Sequence, residues 1–400
     1  MAGQILGKVL VAYFVNWAIY ERHFEVFNID LSMVTHLNYA FAQVDYNGVV
    51  SLTDPWADEQ RRYLDRGDSW NDPPGKLYGS LGQLYKLKVT NRHLKTGISI
   101  GGWTLSGPFS AVCADPAKRR NFIQTSLTIL MDYGFDYIDI DWEYPVSGGL
   151  DSNTRSTNDI NNFISLLKEF NQAFDRVQST LGFRPFITLA APAAKQNYQH
   201  WNFVEMSKYV EFFNIMTYDF AGSWSPYAWH MSNLYRSTNG FSVNETITDL
   251  MSSMNLSPDK ICMGIPLYGR GYSNCNGLGS SFNGLPTQGL YEAGIYDYKV
   301  IPPDNFVVYF DDSAKAPYSY SSSQRVLITH DNPLSVGYKL QYLHDKSLRG
   351  VMFWETSGDR PQSSVESLIR ISYDQIKSSI DSTLNHVVYP TSKFTNILHE

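Results

Sequence analysis

The sequence predicts an α/β protein: a (β/α)8 TIM barrel with a small α+β insertion between strands seven and eight. Three observations carry this. Eight short apolar runs recur along the 400 residues, each the length of a strand buried on both faces. Helical periodicity fills most of the intervals between them. A single interval, between the last two runs, is too long and too rich in Tyr, Gly, Ser and Pro to be a plain connection. An open doubly wound sheet would place a Gly-rich phosphate loop after its first strand. Here Tyr13-Phe14-Val15-Asn16-Trp17 stands there instead.

In chain order the eight runs are Val9–Val15, Val34–Ala42, Leu94–Ile100, Tyr137–Trp142, Phe186–Ala191, Phe212–Tyr218, Ile261–Pro266 and Gly350–Trp354. A helix is expected over Arg119–Asp132, ending at Gly134, a residue well suited to stop it. Another runs through Ile160, Phe163, Ile164, Leu167, Phe170, Phe174 and Val177, spaced by three and four, with Ser156-Thr157-Asn158-Asp159 as its cap. A last helix is expected over Ser363–Ser379. Gly48–Gly75 reads as a long loop after strand two. Strand-like pieces at Phe306–Phe310 and Arg325–Thr329 suggest that 268–329 forms the insertion on the barrel rim. The expected division is a barrel of residues 1–267 and 330–380, the insertion 268–329, and a polar, aperiodic tail 381–400 that is irregular or loosely docked.

Composition narrows the function. A net charge of −7 argues against nucleic acid, whose phosphates need basic surface, and is compatible with a neutral polymer. Aromatics make up 14% of the chain, a hint of a surface that stacks on flat ligand faces. Cys113, Cys262 and Cys275 have no metal-type spacing, and no His/Cys cluster suggests a metal, so neither metal nor other cofactor is expected. Met1–Lys8 lacks a basic leader segment, and Val9–Val15 is far too short to span a membrane. The expectation is an intracellular or cell-wall-associated protein, or a secreted one whose signal has been removed; no membrane partner and a monomeric state are expected.

The chemistry concentrates in Asp136-Tyr137-Ile138-Asp139-Ile140-Asp141-Trp142-Glu143. Alternation along a strand sends Asp139, Asp141 and Glu143 to one face. Three carboxylates on a buried face are expensive and call for a purpose. In a barrel, active sites lie at the C-terminal strand ends, and other strands also end in polar or glycine-rich groups. Strand three ends in Ser99-Ile100-Gly101-Gly102-Trp103, strand six in Met216-Thr217-Tyr218-Asp219 followed by Gly222 and Trp224, and strand eight in Trp354-Glu355. Taken alone, paired glycines fit a tight turn and Trp354 fits ordinary core.

Together these residues resemble glycoside hydrolase family 18, the chitinase family. Asp136-x-x-Asp139-x-Asp141-x-Glu143 is similar to its DxxDxDxE pattern, Ser99-x-Gly101-Gly102 to its SxGG, and Met216-x-Tyr218-Asp219 through Trp224 to its MxYD and YDxxGxW. Tyr13, Phe41, Trp354 and Met263–Arg270 fit as well. The likeness runs from about Val9 to Ile371, nearest to fungal and bacterial chitinases bearing the α+β insertion, and leaves the tail uncovered.

The resemblance implies hydrolysis of β-1,4 links in chitin and chitooligosaccharides by a retaining route in which the substrate's own N-acetyl oxygen attacks. It implies that Glu143 is the general acid, kept protonated by burial and neighbouring charge. Asp139 and Asp141 would share a proton deeper in, with Asp141 turning to orient the acetamido N–H. Tyr218 would bond the acetamido oxygen and Asp219 would hold the distorted sugar. Trp354 would form the floor, Trp103 and Trp224 would stack on neighbouring rings, and Tyr13, Phe41, Ser99, Gly102, Tyr144, Met216 and Arg270 would complete the substrate site. Two rivals use the same barrel. A chitin-binding lectin typically lacks the acid, which is present here as Glu143. An endo-acting N-glycan hydrolase generally lacks the insertion.

Overall fold

A computed structural model describes residues 6–236, 241–288 and 290–398. Part of the N-terminal stretch read above, Met1–Ile5, and the last two residues of the tail lie outside them. Eight strands form a parallel barrel: Val9–Val15, His36–Val44, Lys95–Gly101, Tyr137–Asp141, Phe186–Pro192, Phe212–Met216, Ile261–Pro266 and Gly350–Trp354. Each neighbours the next in the hydrogen-bonded order, and the first pairs with both the second and the eighth, which closes the sheet. Closure leaves the strands almost no wet face: strand one is buried at every position and so is strand four. That is why strand one reads as continuously apolar, and why the acids that alternate along strand four are buried rather than wet.

The chain packs as two compact units. One comprises the segment ending at Ala12, Ala193–Lys195 and Asn214–Ile380; the other comprises Tyr13–Pro192, Gln196–Phe213 and the chain from Asp381 onward. In the second unit, helix Pro116–Tyr133 starts with Asp115 accepting from the Ala117 and Lys118 amides and stops at Gly134 in a left-handed conformation, the glycine stop read from sequence. Helix Asp159–Leu181 presents Phe163, Leu166, Leu167, Phe170 and Phe174 as its buried stripe.

Several expectations need correcting. Asn158 is the N-cap of helix 159–181 but makes no side-chain cap bond; Asp159, in the first turn, instead ties down the chain entering the helix, its carboxylate accepting from the Ser156 and Val146 amides. Gly48–Gly75 is not one loop: Val50–Leu52 pairs back antiparallel on strand two, and a wide turn covers Trp56–Gln60. The last helix is shorter than 363–379, since its regular part is Leu368–Ile376 and Ser367 caps it. The tail is irregular but firmly docked. Tyr389 is fully buried, and Asn385 donates to the carbonyls of Lys88 and Leu94 at 2.9 and 2.7 Å.

In the first unit, residues 268–329 build a five-stranded antiparallel sheet. Its order is Ile295–Asp297, Tyr268–Tyr272, Val326–Thr329, Ala316–Ser321 and Val307–Asp311. One small core gathers Tyr272, Cys275, Leu327 and Ala228, and another gathers Tyr296, Ile301, Val326 and Ile328. Consecutive residues Val326, Leu327 and Ile328 thus serve opposite sheet faces, as strand alternation requires.

Candidate active site

Barrel strand four ends at Asp141, so Glu143 lies two residues beyond its last strand residue rather than on it. Asp139 is fully buried on that strand. Three hydroxyls converge on its carboxylate: Tyr13 and Ser99 donate to Oδ2 at 2.8 and 2.7 Å, and Thr188 donates to Oδ1 at 2.6 Å. Ser99 and Thr188 come from strands three and five, which flank strand four, and Tyr13 comes from strand one, which does not neighbour it in the sheet. Asp141 is treated differently. It is buried, and its Oδ1 has no hydrogen-bond partner. Burial, then the charges of Glu143 and Asp139, push its pKa well above the carboxylate range.

Glu143 is held through its backbone. Its N–H donates to Ser106 Oγ at 2.8 Å and its carbonyl accepts from Asn153 Nδ2 at 2.9 Å. Ser106 in turn donates to the Gly102 carbonyl at 2.9 Å. The glycine pair is dictated by space as well as by conformation. Both have positive φ, 114° and 94°; a Cβ on Gly101 would lie 2.1 Å from the Asp141 carbonyl oxygen, and one on Gly102 would lie 2.8 Å from the Phe41 ring. Phe41 is buried beneath Trp17, with ring centroids 6.2 Å apart. Trp103 is half-exposed and Tyr144 half-buried.

Asp136, the first acid of the pattern, is not with the others. It accepts the Thr96 amide at 2.7 Å and the His386 amide at 2.9 Å, and pairs with the fully buried Lys88 at 2.9 Å. It is an anchor at the start of the strand.

In the other unit, Met216 closes strand six and Tyr218 follows, its hydroxyl 3.8 Å from Met352 Sδ. The ring fits because residue 264 is glycine; a Cβ there would lie 2.8 Å from it. Asp219 takes a left-handed φ of 58°. Its Oδ1 accepts from Tyr268 at 2.6 Å and from Arg270 Nε at 2.7 Å. Burial, then the Asp219 charge, keeps the Tyr268 hydroxyl protonated, with a pKa well above its ordinary value. The Arg270 guanidinium lies 4.8 Å from the Trp224 ring centre, a cation–π contact that steadies an exposed indole. Trp354 ends strand eight, half-buried.

Of the residues named from sequence, the structure brings together Tyr13, Ser99 and Asp139 in one group and Asp219, Arg270 and Trp224 in another. Sequence reasoning missed Thr188, Ser106, Asn153 and Tyr268. Thr188 was legible as a polar residue inside the apolar run Phe186–Ala191. Ser106 and Asn153 lie in aperiodic loops and had no signal.

A parallel (β/α)8 barrel whose fourth strand ends in a row of buried carboxylates, with exposed tryptophans at other strand ends, is the equipment of a glycoside hydrolase. The chain belongs to the glycosyl hydrolases family 18, whose family model matches residues 9–359. Chitinase 1 of Aphanocladium album is 38% identical over 397 residues, covering 98% of this chain and 90% of that protein. Chitinase A1 of Niallia circulans is 34% identical over 400 residues, covering 88% of this chain and 56% of its own length. Among solved structures, chitinase ChiA74 from Bacillus thuringiensis superposes with a TM-score of 0.85 at 30% identity, covering 93% of this chain and 70% of that one. An Ostrinia furnacalis Group IV chitinase in complex with allosamidin gives 0.80 at 28% identity, covering 93% of this chain and 100% of that one. No helix among the described residues is long and apolar enough to cross a membrane.

Proposed function

We propose that the enzyme is a chitinase, cutting β-1,4 links between N-acetylglucosamine units of chitin and chitooligosaccharides with retention and with the substrate's acetamido group as nucleophile. Relatives named as chitinases over nearly the whole chain support the substrate. The observation that carries the mechanism is Asp141: a buried carboxylate with a raised pKa and one oxygen without a hydrogen-bond partner. A group so placed is costly to the fold and free to take up a new hydrogen bond. An acetamido N–H supplies that bond, and the bond turns the acetamido oxygen onto the anomeric carbon.

Glu143 then protonates the leaving oxygen, and its fixed backbone keeps that proton on a constant line. As the cyclic intermediate forms, positive charge grows on the acetamido nitrogen, and a proton moving from Asp141 to Asp139 leaves the nearer carboxylate negative when it is needed. The three hydroxyls around Asp139 release or take up the compensating polarity. Tyr218 donates to the acetamido oxygen, Asp219 holds the distorted ring, and Trp354 supports it from below. Water then opens the intermediate with Glu143 as base, returning both protons and giving the β anomer first.

A partly acetylated polymer tests this. With an acetamido nucleophile, every new reducing end carries an N-acetyl group, and sequencing the ends reads that out. Glucosamine there in proportion to its abundance in the polymer would mean a protein carboxylate attacks instead.

A further inference from the structure

Asp219 is held in an uncommon backbone conformation for a non-glycine residue, φ 58°. Tyr268 and Arg270 grip its side chain but do not fix the chain on its far side. What does so is a buried polar node at the junction between the inserted sheet and helix Pro333–Asp345. Asp331 is 2% exposed. Its Oδ1 accepts from Ser335 Oγ at 2.7 Å, and its Oδ2 accepts from Lys339 Nζ at 2.6 Å and from Ser232 Oγ at 2.8 Å. The first two bonds stay within the junction and its helix. The third crosses to the segment after strand six.

From Ser232 the path to Asp219 is short. The preceding residue, Met231, is fully buried, and its carbonyl accepts the Phe220 amide at 3.0 Å. Phe220 is the residue next to Asp219. The same junction also backs the other side of the grip: Thr329 pairs with Arg270 in the inserted sheet, and the His330 ring bonds the Asp331 carbonyl at 2.8 Å. One node thus holds both the loop bearing Asp219 and the strand bearing Arg270.

We propose that Ser232 and Asp331 are positioning residues for hydrolysis: they set the Asp219 carboxylate, through Met231 and Phe220, at the angle that grips the distorted sugar. This rests on the reading of Asp219 given above. Ordinary fold maintenance is already served by the Lys339 and Ser335 bonds, so the Ser232 bond is the separable part. Its loss is expected to act on the transition state, where the sugar is distorted, more than on substrate binding.

The experiment is a double-mutant cycle of Ser232→Ala and Asp219→Asn, with kcat and KM on chitohexaose and melting temperatures on the same preparations. Ser232→Ala removes one hydroxyl and leaves the buried ion pair intact, so the protein should fold. Its kcat should fall by roughly tenfold, about the worth of one hydrogen bond, with KM within about twofold. In the Asp219→Asn background the same change should cost nothing further, because the group it positions is gone. An equal kcat loss in both backgrounds, or a lowered melting temperature with kcat intact, would overturn the proposal while leaving Asp219 in its role. Wild-type turnover in Asp219→Asn alone would remove that role, and the proposal with it.

Discussion

Single residues here are arranged against stability, and Asp141 most clearly. Its neighbour Asp139 is given three hydroxyl donors, whereas Asp141 is buried with an oxygen unmatched. A carboxyl whose pKa is raised by folding binds its proton more tightly in the folded state. Its contribution is therefore fully present below the unfolded value, ~3.9, and is lost as pH rises through the folded value. Asp141→Asn removes that loss, so the variant should melt higher than the parent at pH 7. The gap should close as pH falls towards ~4. Its turnover should drop, since the amide cannot pass a proton on. Glu143→Gln should lose roughly two to four orders of magnitude in rate, the usual share of a general acid, with little change in oligomer affinity. Melting curves across pH and single-turnover rates on both variants check this. An Asp141→Asn protein that melts lower than the parent at pH 7 would contradict the strain assigned to that side chain.

At the scale of elements, strand four is fixed at one end so that it can carry acids at the other. Asp136 takes two backbone amides and the Lys88 ammonium, and Lys88 also donates to the Gly134 carbonyl and to Tyr389 at 2.7 and 2.8 Å. The tail thereby becomes part of the strand's footing. Burial pushes the Lys88 pKa down to about 8 against the opposing pull of Asp136. From this group alone, stability rises with pH between about 8 and the ordinary lysine value near ~10.4. Asp136→Ala should cost about 3–5 kcal/mol, the toll for leaving a buried charge without its partner. Turnover per folded molecule should stay near normal, because Asp136 is engaged by Thr96, His386 and Lys88 at the start of the strand, at the opposite end from Asp141. Denaturant titration beside active-site titration separates the two. What the sequence made legible follows from the same element. Strand position, the spacing of the acids and the glycine stop at Gly134 all obey local rules, so they were readable. The different employment of Asp136 and the docking of the tail were not. Both depend on partners far off in sequence, Lys88 and His386 for Asp136 and the carbonyls of Lys88, Leu94 and Phe135 for Asn385 and Tyr389, and aperiodic polar sequence carries no mark of a long-range partner.

For the molecule as a whole, the question is what kind of surface meets the polymer. The chain carries a net charge of −7, and its exposed large side chains include Trp17, Trp56, Trp70, Trp103 and Trp224. Several of these indoles are stiffened from beside: Tyr20 stacks on Trp56 with ring centroids 6.0 Å apart, and the Arg62 guanidinium lies 4.6 Å from the Trp70 ring centre. Flat, preset rings lose little freedom when a pyranose ring settles on them, so contact area is converted efficiently into affinity. Such contacts release no counterions, unlike the phosphate contacts of a nucleic-acid binder. Affinity for an uncharged chitooligosaccharide should therefore be nearly flat in salt. Between about 50 and 500 mM, where the Debye length contracts several-fold, KM should change by less than about twofold, while Trp103→Ala should weaken binding by roughly 0.5–1.5 kcal/mol at either end of the range. Glucosamine oligomers bring positive charge to a negative protein and should behave oppositely, binding more weakly as salt rises. If the acetylated oligomer instead showed the steep salt dependence and the charged one did not, recognition would rest on the charged side chains, and the tryptophans would be core residues that happen to reach the surface.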